Sequence, residues 1–198
     1  MSIELTSPYP RSLYLCHAFG YLTPFETMYL MCLSRSLPPN ATIINIGAGA
    51  GTSGLAFAEA HLPMDNDPWG IIPNPVDIYT LDIRHESPEG GMVNEQNAFR
   101  NVGWLTYLPK QILMDSKEVG KLWEHGAVDL VFVDGDHSIE GCKGDIVNWV
   151  THLKPGGLMV FHDYGGPYWG DVKIVVDEFM AGWIPLPIVD RIAAFRKP

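Results

Sequence analysis

The chain has 198 residues, a length that suits one domain with a substantial core, and 46% of them are apolar and 18% charged, far from the signature of disorder. Its formal net charge is -10, and its 13 Lys and Arg residues are scattered, so no basic stripe is offered to a phosphate backbone and nucleic acid is excluded as the expected partner. Cys16, Cys32 and Cys142 are odd in number and far apart, which argues against a disulfide framework or zinc-ligand spacing and fits a reducing cytoplasm.

Residues 13–33 are fairly apolar, but Pro24 and Glu26 interrupt the run. It has neither the flanks of a signal peptide nor the length of a transmembrane span, so no membrane is expected. Residues 1–39 are expected to be an N-terminal helical extension of one or two helices, with Pro38-Pro39 as the boundary to a core over 40–198, the whole forming a single domain.

From Thr42 onward, short β-branched runs alternate with longer helical patterns, the rhythm of parallel strands joined by right-handed crossovers. The first strand is expected at 42–46. Gly47-Ala48-Gly49-Ala50-Gly51 follows at once, and Thr52 and Ser53 introduce a helix to about Ala60. Residues 61–77 contain Pro63, Pro68, Pro73 and Pro75 and read as an irregular excursion. A second strand at 78–81 ends at Asp82, and a helix follows near 93–102. A third strand at 111–114 ends at Asp115, before a helix at 117–123.

Residues 128–133 are a nearly unbroken apolar run, as in a strand covered on both faces, and are expected at the sheet's centre. Asp134-Gly135-Asp136-His137-Ser138 ends it, and 141–153 show helical spacing of Cys142, Ile146 and Trp149. Lys154-Pro155-Gly156-Gly157 is expected to stop that helix and turn into a fifth strand at 158–161, ending in His162-Asp163-Tyr164. An amphipathic helix at 171–180 and short strands near 184–186 and 192–195 close the chain.

Ligands of an open parallel sheet sit beyond the carboxyl ends of its strands, and five chemistry-bearing segments fall there. Gly47, Gly49 and Gly51 let backbone approach a ligand without Cβ clashes, and the helix start at Ser53 offers amides to a carboxylate or phosphate. Asp82 can accept both ribose hydroxyls of an adenosine, or serve as a cap or a solvated loop acid. Asp115 and Ser116 can meet an adenine amino group, or Ser116 can simply cap the next helix. The spacing is Gly-x-Gly-x-Gly, with Thr52 where a dinucleotide fingerprint wants its third glycine.

The pieces Ile44-Asn45-Ile46-Gly47-Ala48-Gly49-Ala50-Gly51-Thr52-Ser53, Thr80-Leu81-Asp82, Val131-Phe132-Val133-Asp134-Gly135-Asp136-His137-Ser138, Leu153-Lys154-Pro155-Gly156-Gly157 and Phe161-His162-Asp163 resemble the class I methyltransferases. More closely, they resemble small-molecule O-methyltransferases related to the catechol, caffeoyl-coenzyme A and antibiotic-tailoring enzymes. The resemblance implies a Rossmann-like, doubly wound α/β fold with helices on both faces of a seven-stranded, mostly parallel sheet. Its strand order would be 3-2-1-4-5-7-6, with strand seven antiparallel. It also implies S-adenosylmethionine as cofactor, bound by Gly47, Ala48, Gly49, Gly51, Ser53, Asp82, Asp115, Ser116 and Asp134, and a small-molecule methyl acceptor. The chain departs from the family at Asn45, where an acid is usual, and at His162-Asp163, where magnesium-using relatives present Asp-Asn or Glu-Asp.

Two devices could activate an acceptor hydroxyl. Asp134, Asp163 and His162 could hold a magnesium ion as Lewis acid, or neutral His162 or His137 could take the proton as general base. Asp136 could orient either histidine or brace its own loop. Tyr164, Tyr168 and Trp169 lie in a Gly-rich loop where a lid over the acceptor would stand. An NAD(P)-dependent oxidoreductase and a non-catalytic adenosylmethionine-binding module remain the competing readings. The apolar face over 28–33 suits a second copy of the chain as well as the chain's own sheet.

Overall fold

The computed structural model describes residues 21–61, 75–85, 90–100 and 108–198. Cys16, Trp104 and nearly all of the proline-rich excursion lie outside these residues.

Helix α1 (Pro24–Arg35) starts at a capping box. The Thr23 hydroxyl accepts from the Glu26 amide at 3.1 Å, and the Glu26 carboxylate accepts from the Thr23 amide at 2.7 Å. Pro24 occupies the first helical position, where no amide donor is needed. Pro24 and Glu26, expected from the sequence to interrupt an apolar run, therefore begin a helix.

The remaining elements are β1 (Ala41–Ile46), α2 (Thr52–Glu59), β2 (Val76–Asp82), α3 (Met92–Arg100), β3 (Lys110–Leu113), α4 (Ser116–Lys121), β4 (Val128–Val133), α5 (Ile139–Trp149), β5 (Leu153–Phe161), α6 (Gly170–Phe179), β6 (Ile184–Pro185) and β7 (Ala193–Arg196). The seven strands form one sheet in the order β3-β2-β1-β4-β5-β7-β6, as the family resemblance implies. The first five are parallel, and β7 runs antiparallel to both β5 and β6. β1 and β4 pair at the centre, so the chain reverses its winding direction between them, and the crevice of an open α/β sheet opens at such a switch point.

All six residues of β4 are buried, and from Leu130 to Val133 they alternate between two apolar cores. Leu130 and Phe132 join Ile43, Leu158, Val160 and residues of α1 and α2 on one face. Val131 and Val133 join Ile44, Met159, Phe161 and residues of α5 and α6 on the other. Trp123 and Trp149 belong to this second core, and Leu30, Met31 and Leu33 of α1 to the first. The apolar face of α1 thus packs on its own sheet, while Phe25 and Met28 remain exposed.

One boundary differs in kind from the sequence expectation. β5 begins at Leu153, which pairs with Val128, and Leu158 pairs with Leu130, so residues 154–157 bulge within the strand and do not precede it. The cause is Asp129. Its carboxylate accepts from Lys154 Nζ at 2.9 and 2.8 Å and from the Thr42 amide at 2.9 Å, which ties β1, β4 and the bulge of β5 together.

Candidate active site

The turn after β1 is built on glycine. Gly47, Gly49 and Gly51 have φ of 94, 49 and 88°, the left-handed region where a Cβ is costly. A Cβ at Gly49 would meet nothing within 4 Å, so this stretch of backbone is open to a ligand on that side. Gly51 is the N-cap of α2 and supplies no side-chain bond, which leaves the first-turn amides of Thr52, Ser53 and Gly54 without a partner inside the helix. From the other side, the Gly91 amide donates to the Gly49 carbonyl at 2.9 Å, so the chain entering α3 packs on this turn.

Asp82, at the tip of β2, is 7% exposed. Its Oδ2 accepts from the Ala48 amide at 2.9 Å and its Oδ1 from the Arg84 amide at 2.8 Å. Arg84 Nε adds a second contact to Oδ1 at 3.3 Å, so the carboxylate braces the glycine turn and keeps acceptor capacity on Oδ2 for a further donor. Beyond β3, Asp115 and not Ser116 is the N-cap of α4, with Oδ1 accepting from the Lys117 amide at 2.8 Å. Ser116 instead donates its hydroxyl to Asp145 of α5. Asn45 donates Nδ2 to the Thr80 hydroxyl at 3.1 Å, while its buried Oδ1 has no partner among the described residues.

Behind Asn45 lies a carboxyl group that the sequence did not single out. Glu95 of α3 is fully buried and accepts from the Thr80 hydroxyl at 2.8 Å and from Gln111 Nε2 at 2.6 Å. A Cβ at Gly54 would stand 2.3 Å from Glu95 Oε1, so the carboxyl abuts the first turn of α2. Burial outweighs both hydrogen bonds and pushes its pKa up to about 7.

The tips of β4 and β5 bring Asp134, His137, His162 and Asp163 together. His162 Nδ1 lies 3.1 Å from Asp134 Oδ1 and 3.2 Å from Asp163 Oδ2. His137 Nε2 lies 3.0 Å from Asp163 Oδ2 and 3.5 Å from Asp134 Oδ1. One donor atom each of Asp134, His162 and Asp163 falls within 4.8 Å of the others, a spacing that can hold a metal ion. Asp163 itself adopts a left-handed φ of 55°, a strained conformation that turns its carboxylate into the cluster.

Two members of this site were not visible in the sequence. Glu26, fully buried at the start of α1, places Oε2 3.5 Å from His162 Nε2. Arg191, in the link between β6 and β7, donates NH1 to Asp163 Oδ1 at 2.9 Å and holds Glu26 Oε1 with Nε at 3.3 Å. The capping-box spacing of Thr23 and Glu26 was a readable signal for a helix start, but the contact of Glu26 with His162 joins residues far apart in the chain.

Burial by itself would lower the pKa of His162, but the Asp134 charge and contacts with Asp134, Asp163 and Glu26 outweigh it and push it up to about 12. His137 is pushed up to about 9 by Asp134 and Asp163 against its own burial. Burial opposes ionisation of Asp134 and Asp163 as well, yet the two histidines hold both carboxyls below the usual range. The carboxylates thus favour the charged form of both His162 and His137, against the neutral imidazole expected from the sequence as general base at either position.

A cleft of about 540 Å³ opens beside the cluster, lined by residues 135–138 and 168–171. His137 forms part of its wall and is stacked on Trp169, with ring centroids 4.7 Å apart and planes 21° from parallel. Ser138, not His137, caps α5 by accepting from the Gly141 amide at 3.0 Å. Asp136 accepts from the Ser138 amide at 2.9 Å and so braces the loop.

This sheet order, with a glycine turn at the switch point and acids at the neighbouring strand tips, defines a class I S-adenosylmethionine-dependent methyltransferase. The sequence pattern described as a methyltransferase domain matches residues 44–164, and the chain belongs to that family. A protein of Corynebacterium glutamicum is similar in structure, with 19% identity and a TM-score of 0.67 over 99% of this chain and 92% of that one. So is the O-methyltransferase TomG of Streptomyces achromogenes, involved in tomaymycin synthesis and solved in complex with SAM, with 15% identity and a TM-score of 0.65 over 100% and 93% of the two chains. An rRNA methylase of Streptococcus thermophilus has the same fold at 13% identity and a TM-score of 0.58, over 86% of this chain and 94% of that one. In sequence, 40 residues are 42% identical to the uncharacterized protein y4gI of Sinorhizobium fredii, and they span 20% of this chain and 4% of that protein. Among the described residues, no helix is long and apolar enough to cross a membrane.

Proposed function

We propose that this chain transfers the methyl group of S-adenosylmethionine to a hydroxyl group of a small metabolite. The observation that carries this reading is that the Gly47 turn, Asp82 and the Asp134, His162 and Asp163 cluster share one edge of the sheet, where His137, in contact with that cluster, lines a cleft of small-molecule size. The methionine carboxylate suits the first-turn amides of α2 around Ser53, and the ribose hydroxyls suit Asp82. The adenine amino group suits Asp115 and Ser116, while Gly47, Ala48, Gly49 and Gly51 let the cofactor lie against backbone. Asp134, whose backbone carbonyl lies against the Gly47 turn, suits a position between cofactor and acceptor.

Methyl transfer is an in-line displacement. A lone pair of the acceptor oxygen forms the new O–C bond as the C–S bond breaks, the sulfonium leaves as a neutral thioether, and the hydroxyl proton must depart. His162 is 4% exposed, faces carboxylates with both nitrogens and does not line the cleft, so it suits the role of a held, orienting group. His137 does line the cleft, and its contacts with Asp163 at 3.0 Å and Asp134 at 3.5 Å suit it to relay that proton toward their carboxylates. A divalent cation on Asp134, His162 and Asp163, magnesium in the expectation drawn from the sequence, would act as a Lewis acid on the acceptor oxygen. Arg191 occupies Asp163 Oδ1 and leaves Oδ2 for the cluster, and Trp169 fixes the His137 ring against the cleft.

The net charge of -10 supports a small acceptor over a nucleic acid, although RNA methylases share the fold. The test is thermal: adenosylhomocysteine should raise the melting temperature and NAD should not. The opposite result would remove this reading in favour of the oxidoreductase. A second reading, a non-catalytic adenosylmethionine-binding module, draws on Asn45 where the family usually has an acid. It gains if adenosylhomocysteine binds but a broad acceptor screen yields no turnover.

A further inference from the structure

We propose that Glu95 is a positioning residue for the cofactor. Through Thr80 it sets which end of the Asn45 side-chain amide is left free, so that Asn45 accepts from the methionine ammonium only while Glu95 is ionised. Binding then expels one proton from a protonated Glu95. The inference deepens the reading above and rests on it for the identity of the cofactor.

The direction of each hydrogen bond carries the argument. Gln111 Nε2 donates to Glu95 Oε2 at 2.6 Å and to the Met92 carbonyl at 3.0 Å, while Gln111 Oε1 accepts from Gln96 Nε2 at 2.6 Å. That amide cannot turn over without losing these bonds, so Glu95 Oε2 is held as an acceptor and a proton on the carboxyl belongs on Oε1. Oε1 faces the Thr80 hydroxyl at 2.8 Å, and a hydroxyl has one proton to give. With Glu95 ionised, Thr80 donates to Oε1 and accepts from Asn45 Nδ2 at 3.1 Å, which leaves the buried Asn45 Oδ1 without a partner among the described residues. With Glu95 protonated, Oε1 is the donor and Thr80 turns its own proton toward Asn45. The Asn45 amide must then offer Oδ1 to Thr80, and Nδ2 takes the free position.

A buried acceptor with no donor costs stability until a donor reaches it. Asn45 lies in β1 just before the Gly47 turn, and Glu95 Oε1 abuts Gly54 in the first turn of α2, so the network lies against the start of that helix. The methionine carboxylate suits the amides of this turn, and its ammonium is bonded to the same carbon, so the cofactor brings a cationic donor to this place. An amide at position 45, unlike an acid, has one accepting and one donating end, and its neighbour decides which is offered. Around Glu95, β1 brings Asn45, β2 brings Thr80 and Asp82, β3 brings Gln111, and α2 brings backbone at Gly51 and Gly54. Among the described residues, Asp82 is the charge that acts on Glu95, and with burial it raises the pKa to about 7, which poises the switch near neutrality.

The test is calorimetric titration of the full chain with adenosylhomocysteine at about pH 6 and about pH 8, the lower pH being repeated in two buffers of different ionisation enthalpy. The wild-type chain should bind about tenfold more weakly at the lower pH and release close to one proton there. Glu95→Gln must turn its carbonyl to Gln111 and its amide nitrogen to Thr80, which fixes the arrangement of the protonated acid. It should bind about tenfold more weakly than wild type at about pH 8, change little with pH and release no proton on Glu95's account. Asn45→Asp added to Glu95→Gln supplies an acceptor that no longer depends on position 95, and should restore the affinity at both pH values. Wild-type affinity that is level across this range, proton release undiminished in Glu95→Gln, or a double variant that stays weak overturns the proposal. Tight binding that ignores pH defeats this inference alone, whereas no binding to the wild-type chain at either pH defeats the cofactor reading beneath it.

Discussion

A Cβ on Gly47 would stand 2.1 Å from the backbone carbonyl oxygen of Asp134. The turn after β1 and the acidic tip after β4 therefore touch through the space where a side chain is missing. Gly47→Ala should displace Asp134, cost on the order of 2 kcal/mol or more of stability and weaken adenosylhomocysteine binding. Gly49→Ala meets no protein atom and should lose only about 1 kcal/mol, the cost of a left-handed alanine, while still impairing the cofactor. Urea denaturation paired with calorimetry distinguishes the two, and equal stability losses would count against the contact.

Asp82 and His162 should separate cofactor binding from turnover. Asp82→Ala removes the acceptor from the Ala48 amide as well as from the ribose, and should weaken adenosylhomocysteine by roughly a hundredfold, about 2 to 3 kcal/mol. His162→Ala should bind the product with affinity close to wild type yet release little of it from adenosylmethionine in an acceptor assay. Loss of binding in the His162 variant would mean that the cluster shapes the cofactor site.

Glu95 predicts a pH dependence of stability. Its folded pKa of about 7 lies above the ordinary 4.5, so between those values the folded chain holds a proton that the unfolded chain has released. Its favourable contribution is complete below about 4.5, declines as pH rises through the window, and is gone above about 7. Glu95→Gln should flatten that decline and be more stable than wild type near pH 8 by on the order of 2 kcal/mol. Denaturation series at several pH values test this, and superimposable wild-type and variant profiles would reject it.

Arg191 should matter more than its position in a short link suggests. Arg191→Ala leaves Glu26 and Asp163 without their shared cation, with an expected cost of about 2 kcal/mol given that Arg191 is itself one-third exposed. Lysine should rescue poorly, because a single ammonium cannot span both carboxylates as the guanidinium fork does. Chemical denaturation of both variants provides the comparison.

The sheet and the glycine turn were legible because their signals are local. The β4 apolar run, the Gly47 turn and the acids at strand ends each announce themselves within ten residues or fewer, and the family resemblance supplies the strand order. The bulge at 154–157 was misread because Lys-Pro-Gly-Gly has the composition of a turn, and only the distant Asp129 explains its inclusion in β5. Glu26, Glu95 and Arg191 escaped for a related reason. Their neighbours in sequence say nothing of the buried carboxylates and imidazoles they meet after long separations. Among the histidines, the residue types were readable, but which nitrogen faces which oxygen belongs to the assembled tips alone.

Glu26 closes the cap of α1 with one oxygen atom of the same carboxylate that faces His162. Fraying of that first helical turn would thus withdraw a counter-charge from the cluster at the strand tips, and loss of the histidine contact would loosen the helix start in return. Hydrogen exchange at the amides of Thr23 and Glu26 becomes a remote reporter of events at the tips of β4 and β5, readable without any acceptor in hand.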